Sequence, residues 1–590
     1  MTVKLMRNPA ALALTLALAV GLGGCVAIPT SGPVTQVSVS PNPTAADPVD
    51  IRPLPPTKGA TPSAILEGFM AAESSSSATR FDVARLYLTA DAAATWDPNQ
   101  GAQIYESSGH PPITTASTAT VQAPLVGQLD ASGHFTSVYQ PDFSHDFGMV
   151  EDKGEWRISN PGPGILLPEY LFDRYYEAVP IYFLSMDGSR VVPEQMHVNQ
   201  VDATPTGIVQ AVLRGPSSWL SSAVMTAIPA ETKLSAPSVT VDDDGVAQIS
   251  LTEQIDGLSD QQRLELAAQL LWSLSGFDAI WGVHITLKGA PFVIPGQDAN
   301  GVVSRTAVMS YRPPDPAGRS LYAVADGVLG TLNEANGSLV PVSGPLGKAD
   351  GAAQIGSMAV AADVSVLAVV DPSGAQLSIG SLSQSLNVPQ GLTGTGFVRP
   401  QVDVAHDVWD FSRSEAGPVL TRCDTAKCVQ TTVPGLAGWA PVAFRISPDQ
   451  TKIALVVSDG SQTQLGLLRL RSSDQVVADG WSPLLVTSAR GVLSDYRDVV
   501  WASGTQLVVL AASSSDGYVN AYLMDADGSQ VESLGPSSDV DAVALASVSL
   551  EDSGPVVMMR TGSGRVYRFD DPARWTQLPL EKATALAYAG

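Results

Sequence analysis

Val442-Ala443-Phe444-Arg445-Ile446 runs into Ser447-Pro448-Asp449-Gln450, and Lys452-Ile453-Ala454-Leu455-Val456-Val457 then ends at Ser458-Asp459-Gly460. Two apolar runs of strand length, bounded by turn residues, predict a β-hairpin. Proline presets a backbone angle in the first turn, and glycine tolerates the left-handed conformation a turn can require. The same kind of unit recurs on both sides. Met358 to Val370 ends at Asp371-Pro372-Ser373-Gly374, and Asp498 to Trp501 passes through Ser503-Gly504 to Leu507–Ala511 and Ser515-Asp516-Gly517. Further units begin near Leu321, Val402 and Val543. Their starts lie roughly 40 to 55 residues apart, the spacing of propeller blades with about four strands each. The reading is an all-β C-terminal propeller over residues 300–590, with about six blades. Leu321-Tyr322-Ala323-Val324 and Ala585 to Tyr588 are placed to share one blade, which would remove the exposed strand edges that favour aggregation.

Upstream, residues 175–292 mix strands and helices. Pro180 to Leu184 is an apolar strand, turned at Met186-Asp187-Gly188-Ser189 and returning through Arg190 to Val192. A helix over Thr206 to Leu213 is stopped by Gly215-Pro216. Val239-Thr240-Val241, Asp242-Asp243-Asp244-Gly245 and Ala247 to Leu251 form a hairpin. Ser259 with Gln262 makes a capping box for a helix lined by Leu264, Ala267, Ala268, Leu271 and Leu274, which Gly276 ends. Val283, Ile285 and Leu287 alternate along a last strand. Leu213-Arg214-Gly215-Pro216, together with the long helix bearing Trp272 and the strand from Trp281 to Lys288, resembles the GerMN domain of sporulation and germination proteins. No catalytic residue is attributed to that family.

Residues 61–170 open with helical spacing (Ile65, Leu66, Phe69, Met70) and a second short helix at Val83, Leu86 and Tyr87. Strands follow: Val121 to Leu129, Phe135 to Tyr139, and Gly154 to Ile158. Helices before an antiparallel sheet predict an α+β domain, in an order similar to the cone-shaped NTF2-like domains.

The N-terminus predicts export. Lys4 and Arg7 precede an apolar run from Ala10 to Val20, too short to cross a bilayer, which needs roughly 20 apolar residues. Leu22-Gly23-Gly24-Cys25 follows and resembles the lipobox of bacterial lipoproteins. That resemblance implies a signal peptide over residues 1–24 and a mature chain beginning at Cys25, with S-diacylglycerol and N-palmitoyl groups anchoring it to the outer face of the cell membrane. Residues 25–60 are rich in proline, serine and threonine and read as a disordered tether.

Charge and motif content narrow the function classes. A formal charge of −25 repels phosphate backbones, so nucleic acid is not an expected partner. Of three cysteines, Cys423 and Cys428 are the pair left after Cys25; in an exported chain they predict a small disulfide closing a hairpin or loop. The six histidines (His110, His134, His145, His197, His284, His406) never share helical i, i+3 or i, i+4 spacing, so no metal site is predicted. Asp242, Asp243 and Asp244 are consecutive rather than alternating as in a calcium loop, and read as a turn. No G-x-S-x-G elbow, phosphate loop, dinucleotide fingerprint or H-E-x-x-H occurs, so no catalytic residue and no cofactor is predicted. Trp409, Trp501, Tyr322 and Tyr567 read as packing between blades.

Lipobox, Ile28-Pro29-Thr30-Ser31-Gly32-Pro33-Val34, a GerMN-like domain and a terminal propeller together resemble the LpqB family of actinobacterial lipoproteins, over nearly the whole chain. The resemblance implies a non-enzymatic accessory of the MtrA–MtrB two-component system, with the extracellular domain of an MtrB-like sensor kinase as partner and envelope homeostasis and division as the processes affected. The alternative is a cell-wall glycan-binding protein or cell-wall hydrolase, and the second alternative a transporter-associated binding lipoprotein.

Overall fold

In a computed structural model of the chain, the structure describes residues 53–590 except 110–111, 116–117, 314–319, 425–426, 473–474, 489–490, 516, 536–539, 551–553 and 571–573. The lipobox and most of the tether lie outside the described residues. No helix among the described residues is long and apolar enough to cross a membrane.

Residues 53–175 form the first folding unit. Its opening helix, Pro62–Glu73, starts where the Thr61 hydroxyl accepts from the Ala64 N–H, with Pro62 in the first turn. Short helices Arg80–Arg85 and Ala90–Thr95 follow, one more than the spacing predicts. A four-stranded sheet packs beside them in the order Phe135–Gln140, Leu125–Leu129, Ala102–Tyr105, Ile165–Pro168. The last two strands run parallel and the other pairs antiparallel. The strand expected over Val121 to Leu129 is two: Ala119–Gln122 pairs in a separate sheet with Ser144–Asp146, while Leu125–Leu129 joins the main one. Pro124 stands between them and has no N–H to give a ladder, which divides the run.

Helix Glu169–Tyr175 ends the first unit and feeds directly into Tyr176–Ser185, the opening strand of the second. That strand pairs with Val191–Asn199 across the Met186–Ser189 turn. Helix Asp260–Ser273 begins with both halves of the Ser259–Gln262 capping box. Strands Val246–Leu251 and Gly282–Leu287 lie parallel on either side of it in sequence. Ile208, Val212, Leu266, Leu270, Ile249 and Ile285 meet in one buried core. The Asp242 carboxylate accepts the N–H groups of Asp244 (3.1 Å) and Val246 (2.9 Å), so the aspartate run builds its own hairpin turn.

Six antiparallel sheets then follow one another. Their innermost strands are, in ring order, Ala583–Tyr588, Ser357–Val360, Gln401–Val402, Ala440–Ile446, Gly491–Trp501 and Ala542–Leu550. Ring closure is supplied by Ala583–Tyr588, which pairs antiparallel with Leu321–Ala325 in the first blade. A buried apolar cluster fills each of the gaps between neighbouring blades, including the gap between the sixth and the first. Each large side chain in these layers contributes about 1.5–3 kcal/mol by leaving water, so closure is apolar as well as hydrogen-bonded. Trp409, Trp501 and Tyr322 are buried in the layers, and half-buried Tyr567 packs against the cluster between the fifth and sixth blades. Cys423 and Cys428 are bonded at 2.05 Å and join the outer strands Val419–Cys423 and Cys428–Thr432 of the third blade.

Candidate functional site: the propeller axis and the three-domain seam

Two small cavities lie on the propeller axis: one of about 150 Å³ is lined by residues from all six inner strands, and one of about 160 Å³ by five of them together with Arg399 of the third blade. Arg399 lines both and stands between them. Pro400 disfavours helical backbone at Arg399, so this residue enters the axis from extended chain just ahead of Gln401–Val402. Its Nη2 donates to Asp498 Oδ1 at 3.0 Å, and Nη1 donates to the Leu545 carbonyl. Asp498 is aimed inward by a bulge: pairing jumps from Ser494↔Ala512 to Asp498↔Leu510. Its carboxylate also accepts the N–H groups of Val499 (2.9 Å) and Leu545 (2.7 Å). Burial pushes the Asp498 carboxyl above the ordinary range, against the pull of the Arg399 guanidinium and those two amides.

Two more arginines face the axis. Arg445 donates to the carbonyls of Phe444 (2.7 Å) and Arg399 (3.3 Å), and its own carbonyl accepts Trp501 Nε1 at 3.0 Å. Arg560 donates only to the Thr561 carbonyl, at 3.3 Å, and its buried Nε has no partner. Burial, followed by the neighbouring Arg399 charge, depresses the Arg560 guanidinium. Gln401 laces the third blade to the fourth through Ile446, donating from Nε2 (3.3 Å) and accepting at Oε1 (2.8 Å).

The second region is the seam where the three folding units meet, around His197 of strand Val191–Asn199. The His197 ring is fully buried and lies 2.8 Å, through Nε2, from Asp527 Oδ2 of the propeller, with Ser529 Oγ at 3.2 Å. On its other side it packs against Phe135 and Phe172 of the first unit, with ring centroids 5.7 and 5.2 Å away. One nitrogen of His197 and one oxygen each from Asp525 and Asp527 lie within 4.8 Å of one another, a donor set in reach of a single cation. The outer nitrogen, Nδ1, is buried without a partner, whereas a metal-bound imidazole is normally oriented by a hydrogen bond from that atom. The geometry therefore reads as a hydrogen-bonded clasp between His197 and Asp527.

Further polar contacts extend the seam. Trp219 Nε1 donates to the Gly480 carbonyl at 2.8 Å, and Arg469 Nη1 donates to the Trp219 carbonyl at 2.8 Å. Lys452 Nζ donates to the Pro193 carbonyl at 3.0 Å while pairing with Asp449 at 3.2 Å. The first unit accepts at Glu169 Oε1 from Thr487 Oγ1 of the propeller (3.2 Å) and at Ser137 Oγ from the Leu485 N–H (3.0 Å), and its Arg80 pairs with Asp202 of the second unit (2.6 Å). A cavity of about 260 Å³ lies among the three units, lined by His134, Glu194, Trp219, Lys452 and Asp527. Burial raises Glu169 to about 7, with Asp173 adding to it, and raises Asp173 and Asp525 to about 6. Burial opposes the charge on His134, but the hydrogen bond to Asp130 (3.3 Å) and the attraction of Asp130 and of Glu194, 3.6 Å away, win and lift it to about 9.

Of the residues singled out in the sequence, Leu22, Gly23, Gly24 and Cys25 lie outside the described residues, and Cys423 and Cys428 sit on an outer blade edge away from both regions. Half-buried His284 bonds Gln248 Oε1 through Nδ1 at 2.8 Å. Sequence spacing singles out none of Arg399, Arg560, His197 and Asp527. The one available signal was Asp525-Ala526-Asp527-Gly528-Ser529, a hairpin turn richer in carboxylates than a turn needs.

Models of known families match all three units: "Lipoprotein LpqB, N-terminal domain" over residues 55–173, "Sporulation and spore germination" over 180–293, and "Lipoprotein LpqB beta-propeller domain" over 329–586. A lipoprotein LpqB of Cutibacterium acnes is 30% identical across 98% of this chain and 99% of its own. One from Streptomyces coelicolor is 26% identical, covering 96% of each chain. Among solved structures, the first GerMN domain of GerM from Bacillus subtilis aligns at 20% identity and a TM-score of 0.19, over 22% of this chain and 98% of that domain. TolB from Acinetobacter baumannii aligns at 14% identity and a TM-score of 0.32, over 47% of this chain and 67% of its own.

Proposed function

The chain belongs to the LpqB family of lipoproteins, and from that premise we propose that it is a regulatory binding protein which engages the extracellular domain of an MtrB-like sensor kinase. It is an extracytoplasmic lipoprotein, and in this reading Cys25 carries the lipid. The observation that carries the proposal is the seam: buried pairs and hydrogen bonds hold three units as one platform instead of leaving them as separate beads. A rigid platform on a lipid tether suits a modulator. The tether raises the effective concentration of its partner in the membrane plane, and rigidity lets docking favour one kinase conformation over another. At the axis, binding rather than catalysis is the reading we favour, since both Asp498 oxygens are already occupied by Arg399 and backbone amides. Envelope homeostasis and division are the processes this would affect.

The test is crosslinking in native membranes, followed by capture of the full chain and of a Cys25→Ala variant. Recovery of a sensor kinase with the unaltered chain and its loss with the variant is the expected result. Recovery of wall fragments or of a transporter with no kinase would replace this reading.

A further inference from the structure

The net charge of −25 makes the propeller axis anomalous, because its uncompensated side chains are cationic. Asp498 is spent: one oxygen serves Arg399 and the Val499 amide, the other the Leu545 amide. Arg497, which also lines the axis, is paired with Asp495 (3.3 Å) and Asp541 (3.0 Å). Asp403 is tied up by the amides of Ala405 and Asp407 and by Trp409 Nε1, each at 2.8–2.9 Å. That leaves Arg445 beside one cavity and Arg560 beside the other, hydrogen-bonded only to backbone carbonyls and in no ion pair among the described residues; Asp498 attracts Arg560 through space but has no bonding capacity left for it. A buried guanidinium with an unmatched Nε–H is costly unless an acceptor arrives, since orphaned buried donors and unpaired buried charge both raise the free energy.

We propose that the two axial cavities each bind a small oxyanion, a phosphate or a carboxylate, one held by Arg560 and the other by Arg445, on either side of the Arg399–Asp498 pair. Cavities of about 150 and 160 Å³ fall below the few hundred Å³ that larger ligands occupy, so the anion is small or enters as the end group of something longer. Guanidinium forks suit both oxyanions, because two N–H groups meet two oxygens in one plane. The orphaned hydroxyl of Ser547, on the Arg445 side, offers a further donor. The anion proposal is independent of the kinase proposal: either can fail alone.

The test is calorimetric titration of the full chain in non-ionic detergent at low salt, with inorganic phosphate and with succinate as separate probes. Saturable binding of at least one probe at millimolar concentration or below is expected; which one binds identifies the oxyanion class. Arg560→Gln and Arg445→Gln should each weaken binding in its own cavity at least about tenfold, the loss of one charge-assisted hydrogen bond, while the exposed control Arg565→Gln leaves both unchanged. In the unaltered chain the Nε–H resonance of Arg560 should shift on titration, a readout that does not depend on any variant folding. Absence of saturable binding by both probes would overturn the proposal. So would equal weakening by Arg565→Gln, which would signal charge screening alone.

Discussion

The propeller axis and the three-domain seam both bury charge, but the surplus has opposite sign. At the axis four lining arginines (Arg399, Arg445, Arg497 and Arg560) face two lining carboxylates, Asp403 and Asp498, both already occupied by N–H donors. At the seam carboxylates outnumber cations: Asp525, Asp527, Asp173 and Glu169 gather around His197 and the Thr487 hydroxyl. The difference follows from what surrounds each region. The axis is enclosed by the ring of one domain, and arginine is a charge that burial seldom neutralises. The seam joins separate folding units, and its acids can relieve their mutual repulsion by taking up protons. One region is built to stay charged, the other to titrate.

The harshest way to break this contrast is to open the ring. Removing residues 583–590 deletes the strand paired with Leu321–Ala325 and leaves an unpaired edge in the first blade, with the apolar clusters on both its sides uncovered. Loss of the cooperative thermal transition of the propeller and aggregation on warming are expected. An unchanged transition would show that the packed layers alone close the ring.

Next in size is Arg399→Ala. It strands Asp498, which is almost fully buried, and breaking a buried pair from one side costs about 3–5 kcal/mol. Urea unfolding should show that loss, and adding Asp498→Asn to the same chain should return part of it. A loss near zero would mean that the two amides suffice for Asp498 and that Arg399 is a spare cation like Arg560.

How much of this contrast is legible in the sequence depends on range. The hairpins around Ser447-Pro448-Asp449-Gln450 and the blade shared by Leu321–Ala325 and Ala583–Tyr588 could be read directly, because turn chemistry and apolar alternation are local and a ring must close on its own ends. The capping box at Ser259 was legible for the same reason. The split of Val121 to Leu129 was missed although Pro124 marks it, since the apolar pattern on both sides masked the missing donor. The axis and the seam were not legible. His197 and Asp527 are 330 positions apart, and Arg399 and Asp498 are 99 apart. No spacing rule links such pairs; only the folded ring and its docking bring them together.

A milder cut sharpens the seam's side of the comparison. His197→Ala leaves Asp527 with the Ser529 hydroxyl and N–H, so the expected cost is that of one lost buried hydrogen-bond partner, about 2 kcal/mol. Its signature is spatial: hydrogen exchange should quicken at residues 193–198 and 526–529 while the inner strands of the propeller stay protected. Equal quickening at the axis would mean that the two regions form one cooperative unit.

The smallest effect expected is also the one that tests the sign of the contrast. Glu169 is raised to about 7 and Asp173 and Asp525 to about 6, chiefly by burial, so their contribution to the docked state is full below the ordinary carboxylate range and is lost as pH rises through 6 to 7. His134 is raised to about 9 by Asp130 and Glu194 against the cost of burial; its contribution is full below its ordinary value of 6.5 and fades toward 9. All four groups loosen the seam in the alkaline direction. Asp527, Asp130 and Glu194 are held low by their partners against burial, and their contribution is lost only in acid, below the ordinary carboxylate range. The seam should therefore be firmest at mildly acidic pH and weaken by on the order of 1 kcal/mol or more toward about pH 9, read as faster exchange of the seam amides after correction for the intrinsic pH dependence. Glu169→Gln should flatten the part of that profile near neutrality. A seam that tightens with rising pH would show that the carboxylates are ionised and paired throughout, which would make it the counterpart of the axis rather than its opposite.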